Sequence, residues 1–307
     1  MTRRTVELAG LAVPLVELSG SGDGPLLTVI AGVHGCEYAS IAAVRRWVRQ
    51  TEQRELRGRV RAVPVLNVSA FAARTPFVVP EDGKNLNRCF PGSRDGTLAD
   101  RLAFDTFQLL ITGSDAVVDA HCGDLVEALH PFALYDAGPA QDQARAMALS
   151  YGLPYVLRQE PGPDRAVAGS TSAAAAAVGI PAIIAEAGGY GLVEEEAVRL
   201  HVTGLDGVLD VLGMTKDDRR ASRNPSEILD RSVWLRSGAA GWWEPSVRPG
   251  DRVRAGQSLG TIDSLDGAEV LATITAPASG VIMFLTSSPA IARDGLLLGI
   301  GVMEPAS

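Results

Sequence analysis

Apolar runs alternate with amphipathic segments over the first two thirds of the chain. Runs rich in Val, Ile, Leu and Ala predict strands that are buried on both faces. These strands are predicted at Leu26–Ala31, Val60–Asn67, Ala116–Ala120 and Ala182–Ala185. Helices are predicted between or after them at Ser40–Arg49, Leu98–Ile111, Thr171–Val178 and Glu194–Leu212. Such an alternation of strands and helices is typical of an α/β fold.

The pattern changes after residue 214. Residues 215–232 are polar and charged, which favours a linker. Short apolar runs separated by Gly and Pro turns follow and predict a β domain. We therefore predict an α/β domain over residues 1–214, a linker over 215–232 and a C-terminal β domain over 233–307.

Two stretches of the predicted β domain, Arg248–Gly260 and Ala276–Val281, resemble the halves of a biotinyl/lipoyl-like barrel-sandwich module. Such modules carry their prosthetic group on a lysine, and no lysine follows Lys216 in this chain. The sequence therefore excludes a swinging-arm carrier and predicts a structural or gating module.

Composition and charge exclude several partners. Hydrophobic residues make up 46% of the 307 positions and charged residues 21%, as in ordinary globular proteins. The formal net charge of −8 argues against binding to nucleic acid or to an anionic membrane. No run is long enough to span a bilayer, no signal peptide is recognisable, and three cysteines are too few for a disulfide framework. We expect a cytoplasmic protein. A homo-oligomer remains open, since homodimers are the commonest assemblies.

The first candidate metal ligands, His34 and Glu37, follow the first predicted buried strand. Sites of α/β proteins lie at the carboxyl ends of such strands, and a turn can bring residues three apart to one point. Imidazole nitrogen and carboxylate oxygen are donors that suit Zn²⁺. Alone, the pair is a weak signal, because a solvated His–Glu pair on a helix has the same spacing.

The second candidate is His121, which emerges from the strand Ala116–Ala120. As a third ligand it would complete a His₂Glu set with one position left for water, the arrangement of a catalytic zinc. Asp119 lies on the same face of the strand and is a candidate acceptor for the imidazole, whereas Cys122 should face away. A core histidine with satisfied nitrogens is the competing interpretation.

Glu186 ends the strand Ala182–Ala185 and is followed by a glycine-rich turn. Burial raises the pKa of a carboxyl group and a nearby cation lowers it, so a glutamate there can act as general base and acid. The alternative is a carboxylate that interacts with a helix dipole. His201, in the last predicted helix, is interpreted as a solvated side chain.

A fourth cluster lies in the turn-rich stretch 82–92, where Asn87 and Arg88 can present donors to one substrate carboxylate. Arg74, upstream of this stretch, is a candidate for stabilising a developing oxyanion. An exposed charged loop explains any one of these residues equally well.

Taken in order, the motifs HGCE (34–37), NLNRCFPG (85–92), DAHCG (119–123) and EAGGYG (186–191) resemble the succinylglutamate desuccinylase/aspartoacylase family. The resemblance covers about residues 25–215. It implies a zinc-carboxypeptidase-like mixed sheet flanked by helices, followed by an all-β barrel-sandwich-like domain. It also implies one Zn²⁺ per chain, bound by His34, Glu37 and His121. The resemblance further implies that Glu186 acts as general base and acid. It implies that Asn87 and Arg88 bind a substrate carboxylate and that Arg74 polarises the carbonyl group.

The predicted function is hydrolysis of a small N-acyl amino acid of the acetyl or succinyl type by attack of metal-bound water. Deacetylation of an N-acetylated diamino acid is one version of this hypothesis. A metallocarboxypeptidase acting on peptides is a second enzyme hypothesis. A non-catalytic metal-binding module is a third, which the complete set of four metal and catalytic residues disfavours.

Overall fold

The computed structural model describes residues 1–160, 168–215 and 225–303. Its α-helices are α1 (Tyr38–Thr51), α2 (Val68–Ala73), α3 (Leu98–Thr106), α4 (Gln141–Tyr151), α5 (Thr171–Ala177) and α6 (Glu195–Val211). A turn of π-helix, Phe107–Ile111, continues α3, and a 3₁₀-helix spans Leu86–Arg88. The strands are β1 (Thr2–Leu8), β2 (Leu11–Ser19), β3 (Leu26–Ala31), β4 (Arg59–Val63), β5 (Ala116–His121), β6 (Glu127–Leu129), β7 (Phe132–Asp136), β8 (Tyr155–Gln159), β9 (Ala182–Glu186), β10 (Glu227–Leu229), β11 (Arg231–Arg236), β12 (Gly241–Pro245), β13 (Arg252–Val253), β14 (Ser258–Asp263), β15 (Val270–Thr275), β16 (Gly280–Thr286), β17 (Ala290–Ile291) and β18 (Leu296–Val302).

Nine strands form one mixed sheet in the order β1-β2-β4-β3-β5-β9-β7-β8-β10. The central strands β4, β3, β5 and β9 are parallel, and β7 reverses direction against β9. These four central strands are the ones predicted from apolar runs, and the structure confirms them. Because the central strands are parallel, their carboxyl ends lie side by side at one edge of the sheet.

Helices cover both faces of the large sheet, which explains why most side chains of the central strands β3, β5 and β9 are apolar on both faces. Successive residues of a strand point to opposite faces: Val29 packs with α1, α4 and α6, whereas Ile30 packs with α3 and α5. Each face therefore has its own apolar core. The predicted mixed sheet flanked by helices is confirmed.

The C-terminal strands form two antiparallel sheets, β11-β18-β16-β13 and β15-β14-β12-β17. Trp243, Leu259, Ile262 and Leu298 are buried between them. Strand β6, which comes from the middle of the chain, extends the first of these sheets by pairing with β16. The predicted all-β region is confirmed, and β6 ties it to the α/β part.

The segment predicted as a linker contains a strand. Glu227–Leu229 pairs with β8 as the last strand of the large sheet, and β11 begins at Arg231. Residues 216–224 of the predicted linker lie outside the described residues. A strand of only three residues is too short to show a periodic pattern of hydrophobic and polar positions, so it is recognised only from its pairing with β8. The division into domains at residues 214 and 233 stays a prediction.

Several elements were not predicted from the sequence. The hairpin of β1 and β2 and the elements from β6 to β8 were missed, and the strand predicted to reach Asn67 ends at Val63. Asn67 instead caps α2, where its side chain accepts a hydrogen bond from the Ala70 amide at 3.0 Å. No helix in the described ranges combines the length and apolar character needed to cross a membrane.

Candidate metal and catalytic site

Three parallel strands end at the same place and deliver the predicted site residues there. His121 is the last residue of β5 and Glu186 is the last residue of β9, and the two lie opposite each other in the strand register. His34 and Glu37 lie in the turn that leads from β3 into α1. That turn begins at Gly32, whose φ of +64° favours glycine. The predicted convergence of polar residues at the carboxyl edge is therefore what the structure shows.

Glu37 lies between the two histidines. Its Oε1 is 2.6 Å from His34 Nδ1, and its Oε2 is 2.9 Å from His121 Nδ1. All three side chains are buried, and they can offer one ligand atom each within 4.8 Å of one another. Two imidazoles and one carboxylate that converge in this way could hold a metal ion, and nitrogen and oxygen donors of this kind suit Zn²⁺.

In both histidines the Nδ1 atom lies against Glu37, and the other ring nitrogen, Nε2, has an oxygen partner of its own. His34 Nε2 is 3.0 Å from Asn85 Oδ1, and His121 Nε2 is 2.9 Å from Asp119 Oδ2. An Nε2–H that donates to these oxygens leaves the Nδ1 lone pair free to bind a metal. The residues present therefore fit a zinc ion. Asp119 is the acceptor that the strand alternation predicts, whereas the role of Asn85 was missed.

The electrostatics of the cluster favour a bound cation. Burial raises the pKa of Glu37, but the imidazoles of His121 and His34 outweigh burial and lower it to about 2. Burial alone would lower the pKa of His121, but the carboxylates of Asp119 and Glu37 outweigh burial. The pKa of His121 is therefore raised well above its ordinary value. Glu37 is therefore ionised, the form in which a carboxylate binds a metal.

Glu186 has a pKa raised well above its ordinary value. Burial is the largest cause, and the carboxylates of Glu37 and Glu127 add to it, while His121 opposes it. A carboxyl group with this increased proton affinity can accept a proton and return it, as a general base and acid must.

The loop from Asn85 to Arg88 forms another wall of the site. Asn85 Oδ1 also accepts the Asn87 amide at 2.8 Å, which caps the 3₁₀-helix. Asn87 Oδ1 accepts the Thr171 amide at 3.0 Å, and its Nδ2 lies 3.4 Å from His121 Nε2. Arg88 is placed by a hydrogen bond from its Nη1 to the Asn87 carbonyl at 2.7 Å. The predicted neighbours Asn87 and Arg88 thus reach the same site.

Arg74 does not reach this site. It is an exposed residue with a left-handed backbone conformation (φ 55°) at the end of α2, and it is not among the described residues that line the cavity. The chain turns there and brings Phe77 to the cavity instead, with its ring centroid 6.0 Å from that of His34. The Phe77 amide is held by Asp124 Oδ2 at 2.8 Å. The structure therefore gives no support to carbonyl polarisation by Arg74.

A cavity of about 580 Å³ contains the site. Its polar end carries the metal candidates and Glu186, and its other end is apolar. The apolar end lies between the large sheet and the first C-terminal sheet. Its walls include Leu134, Leu157 and Ile184 from the large sheet and Trp234, Met283, Phe284 and Leu296 from the C-terminal strands.

Two further residues differ from expectation or were missed. His201, expected to be solvated, is fully buried, because its position on α6 faces Tyr151 of α4 and the turn after β9. Its Nδ1 lies 2.8 Å from the Tyr151 hydroxyl and its Nε2 lies 3.2 Å from the carbonyl of Ala187, the residue after Glu186. Glu127 lines the cavity, although no motif pointed to it. Cys122 packs away from the metal candidates, beside Ala39 and Ala187, as the strand alternation predicts.

The fold is that of an α/β protein with a zinc-carboxypeptidase-like mixed sheet, and a His–Glu–His group that could hold a metal lies at the edge of this sheet. The chain belongs to the succinylglutamate desuccinylase/aspartoacylase family. Residues 23–212 match the succinylglutamate desuccinylase/aspartoacylase catalytic domain. The family predicted from the four motifs is therefore confirmed.

Individual relatives agree with this assignment. N-alpha-acetyl-L-2,4-diaminobutyric acid deacetylase from Halomonas elongata is 30% identical over 249 residues, which cover 78% of this chain and 71% of that protein. The product-bound structure of the ectoine utilization protein EutE (DoeB) from Ruegeria pomeroyi has a TM-score of 0.86 at 25% identity, covering 95% of this chain and 90% of that chain. A succinylglutamate desuccinylase/aspartoacylase structure from Rhodobacter sphaeroides has the same fold, with a TM-score of 0.83 at 23% identity and coverage of 99% and 94%.

Proposed function

We propose that this chain is a zinc-dependent amidohydrolase that removes the acyl group from a small N-acyl amino acid. The observation that carries the proposal is the convergence of His34, Glu37 and His121 in the cavity that Glu186 also lines. Membership in a deacylase family supports the reaction type. The relative from Halomonas elongata is named for an N-acetylated diamino acid, which makes a substrate of that kind a reasonable first choice.

His34, Glu37 and His121 would hold one Zn²⁺. When bound, the ion supplies a Lewis acid that polarises the amide carbonyl and lowers the pKa of a water molecule. Asn85 and Asp119 keep each imidazole in the orientation and tautomer that binding requires. Their role is positioning, because neither is one of the three proposed ligands.

Glu186 moves the protons of the reaction. Its carboxylate accepts a proton from the attacking water and then donates it to the nitrogen of the departing amine. The high proton affinity that burial gives Glu186 suits the second step, and a cation nearby would favour the ionised form that the first step needs. His201 supports this position through its contact with the Ala187 carbonyl.

Asn87 and Arg88 would bind a substrate carboxylate. Asn87 and Arg88, which are neighbours in the chain, both line the cavity. An arginine and a neighbouring amide can hold both oxygens of one carboxylate. The strands β11, β16 and β18 contribute to the other side of the cavity. This enclosure favours small substrates over peptides.

Metal analysis is the first test. Purified protein should contain about one zinc per chain, and the variant His121→Ala should lose most of it while the surface variant Glu7→Gln retains it. Protein that binds no zinc and gains no activity when zinc is added would refute the proposal. Unchanged zinc content in His121→Ala would remove that residue from the ligand set.

A substrate screen is the second test. Zinc-loaded protein should release the free amine from N-acetyl or N-succinyl amino acids faster than it cleaves dipeptides. Faster cleavage of dipeptides would instead establish a carboxypeptidase.

A further inference from the structure

We propose that Glu127 recognises an ammonium group on the side chain of the substrate, so that the enzyme selects N-acyl amino acids with a cationic side chain. This inference rests on the proposed deacylase function and adds to it a residue that sets specificity. Glu127 has no part in the metal ligation or the proton transfer described above.

Glu127 is held at a fixed place on the cavity wall. It begins β6, where it pairs with Thr286 of β16, another residue that lines the cavity. Its carbonyl accepts the Tyr190 amide at 2.9 Å, and its own amide donates to the Asp124 carbonyl at 3.1 Å. The backbone of Glu127 is thus fixed by both neighbouring segments. A rigid backbone gives its side chain the fixed position that selective binding requires.

The carboxylate of Glu127 has no cationic side-chain partner. Within the described residues, no Lys, Arg or His nitrogen lies within 4.0 Å of it. Burial raises its pKa to about 8, and the neighbouring Glu37 raises it as well, whereas the Asp124 amide and His121 oppose the increase. Glu127 is half-buried on the cavity wall, and a ligand cation beside it would favour its ionised form by supplying the missing counter-ion.

Side chains of both charges line the cavity, and its cationic members include Arg88 and Arg236. Three glutamates line it, namely Glu37, Glu127 and Glu186. Glu37 belongs to the proposed metal site, and Glu186 to the proton transfer. Glu127 is therefore the glutamate that remains available to a substrate. Because arginine and glutamate both line the cavity, a substrate with one carboxylate and one side-chain ammonium group finds a partner of opposite charge for each.

Two substrates of matched shape test the proposal. Nα-acetyl-L-2,4-diaminobutyrate carries an ammonium group where Nα-acetyl-L-norvaline carries a methyl group, and both have the same α-carboxylate and acetyl group. Zinc-loaded wild-type protein should show a higher kcat/KM for the cationic substrate. A charge-assisted hydrogen bond in a buried site predicts a preference of about 10- to 100-fold.

The variant Glu127→Gln keeps the shape and the hydrogen-bond acceptor of the side chain but removes its charge. It should lose most of the preference, chiefly through a higher KM for the cationic substrate, and should cleave the norvaline substrate as wild type does. The control Glu7→Gln, on the exposed strand β1, should keep the full preference.

The outcomes separate this inference from the proposed function. Equal cleavage of both substrates by wild type, or an equal effect of Glu127→Gln on both, would give Glu127 a merely structural role and leave the deacylase standing. Failure of the zinc-loaded wild type to cleave either substrate, or any other N-acyl amino acid, would overturn the function itself.

Discussion

The carboxyl edge of the large sheet and the interior of the C-terminal sheets differ in what they bury. At the sheet edge, β5 alone buries both Asp119 and His121, and Glu37 is buried beside them. The interior between the C-terminal sheets is apolar, with Trp243, Leu259 and Ile262 at its centre. Buried polar groups are unfavourable unless they have partners. Their concentration at one sheet edge therefore marks that edge as functional, while the C-terminal interior contributes stability.

Close packing in the C-terminal sheets supports this contrast. A Cβ atom at Gly299 would lie 2.2 Å from the ring of Phe284, so only glycine leaves room for that ring. Phe284 in turn lines the apolar end of the cavity. The C-terminal strands thus shape the cavity without supplying any of the proposed metal ligands.

The largest expected effect is that of Glu186→Gln at the sheet edge. Loss of the proton acceptor should lower kcat by roughly 10²- to 10⁴-fold, while zinc content and the melting temperature remain close to those of wild type. Steady-state kinetics and metal analysis on the same preparation measure both quantities. Wild-type turnover in this variant would exclude Glu186 from proton transfer.

The C-terminal interior should respond in the opposite way. Trp243→Ala should lower the free energy of unfolding by about 3–5 kcal/mol, because it leaves a large cavity in a packed core. Its neighbour Trp242 is 46% exposed and provides a matched control: Trp242→Ala should cost no more than about 0.5 kcal/mol. Denaturant unfolding measures both values. Equal effects of the two substitutions would contradict the assigned core.

Acid should destabilise the protein through His201. Burial lowers the pKa of His201 to about 4, whereas the unfolded chain protonates a histidine near pH 6.5. The unfolded state therefore binds more protons between these values, and stability falls as the pH decreases from 6.5 to 4, by up to about 3 kcal/mol from this residue. The non-titrating variant His201→Gln should show a correspondingly smaller decrease. An identical pH dependence in the two proteins would refute this assignment.

The smallest expected effect is that of Asn85, which orients His34 without being a proposed ligand. Asn85→Ala should weaken zinc binding by about 10- to 100-fold, as measured by competition with a chelator. Asn85→Asp keeps an oxygen acceptor and should recover most of the affinity. Equal weakening in both variants would indicate that the Asn85 amide supports the loop rather than the histidine.

The sequence predicted the parts of this protein that depend on local pattern. Strands β3, β5 and β9 are largely apolar, and polar residues that need a partner lie at or just after their carboxyl ends. Because parallel strands end at a common edge, the motifs at their ends could be placed together before any contact was known. His34, Glu37, His121 and Glu186 were predictable for this reason.

Residues whose position depends on long-range pairing were not predictable in this way. Glu127 reaches the cavity because β6 pairs with β16, more than 150 residues further along the chain. Arg74 looked like a suitable cation from its sequence position, yet the left-handed turn at its own backbone directs Phe77 to the cavity instead. His201 lies on a helix with a polar face, and the helix places it on the buried face, against Tyr151.

The sequence by itself determined the family, the α/β character of the first two thirds and the four residues at the strand ends, because each is encoded by neighbours along the chain. Tertiary structure alone decided which oxygens orient the two histidines, which residues enclose the cavity and that Glu127 faces it. Those features arise where segments distant in sequence are brought together. Their positions follow from sheet pairing and packing, which no local pattern of residues specifies.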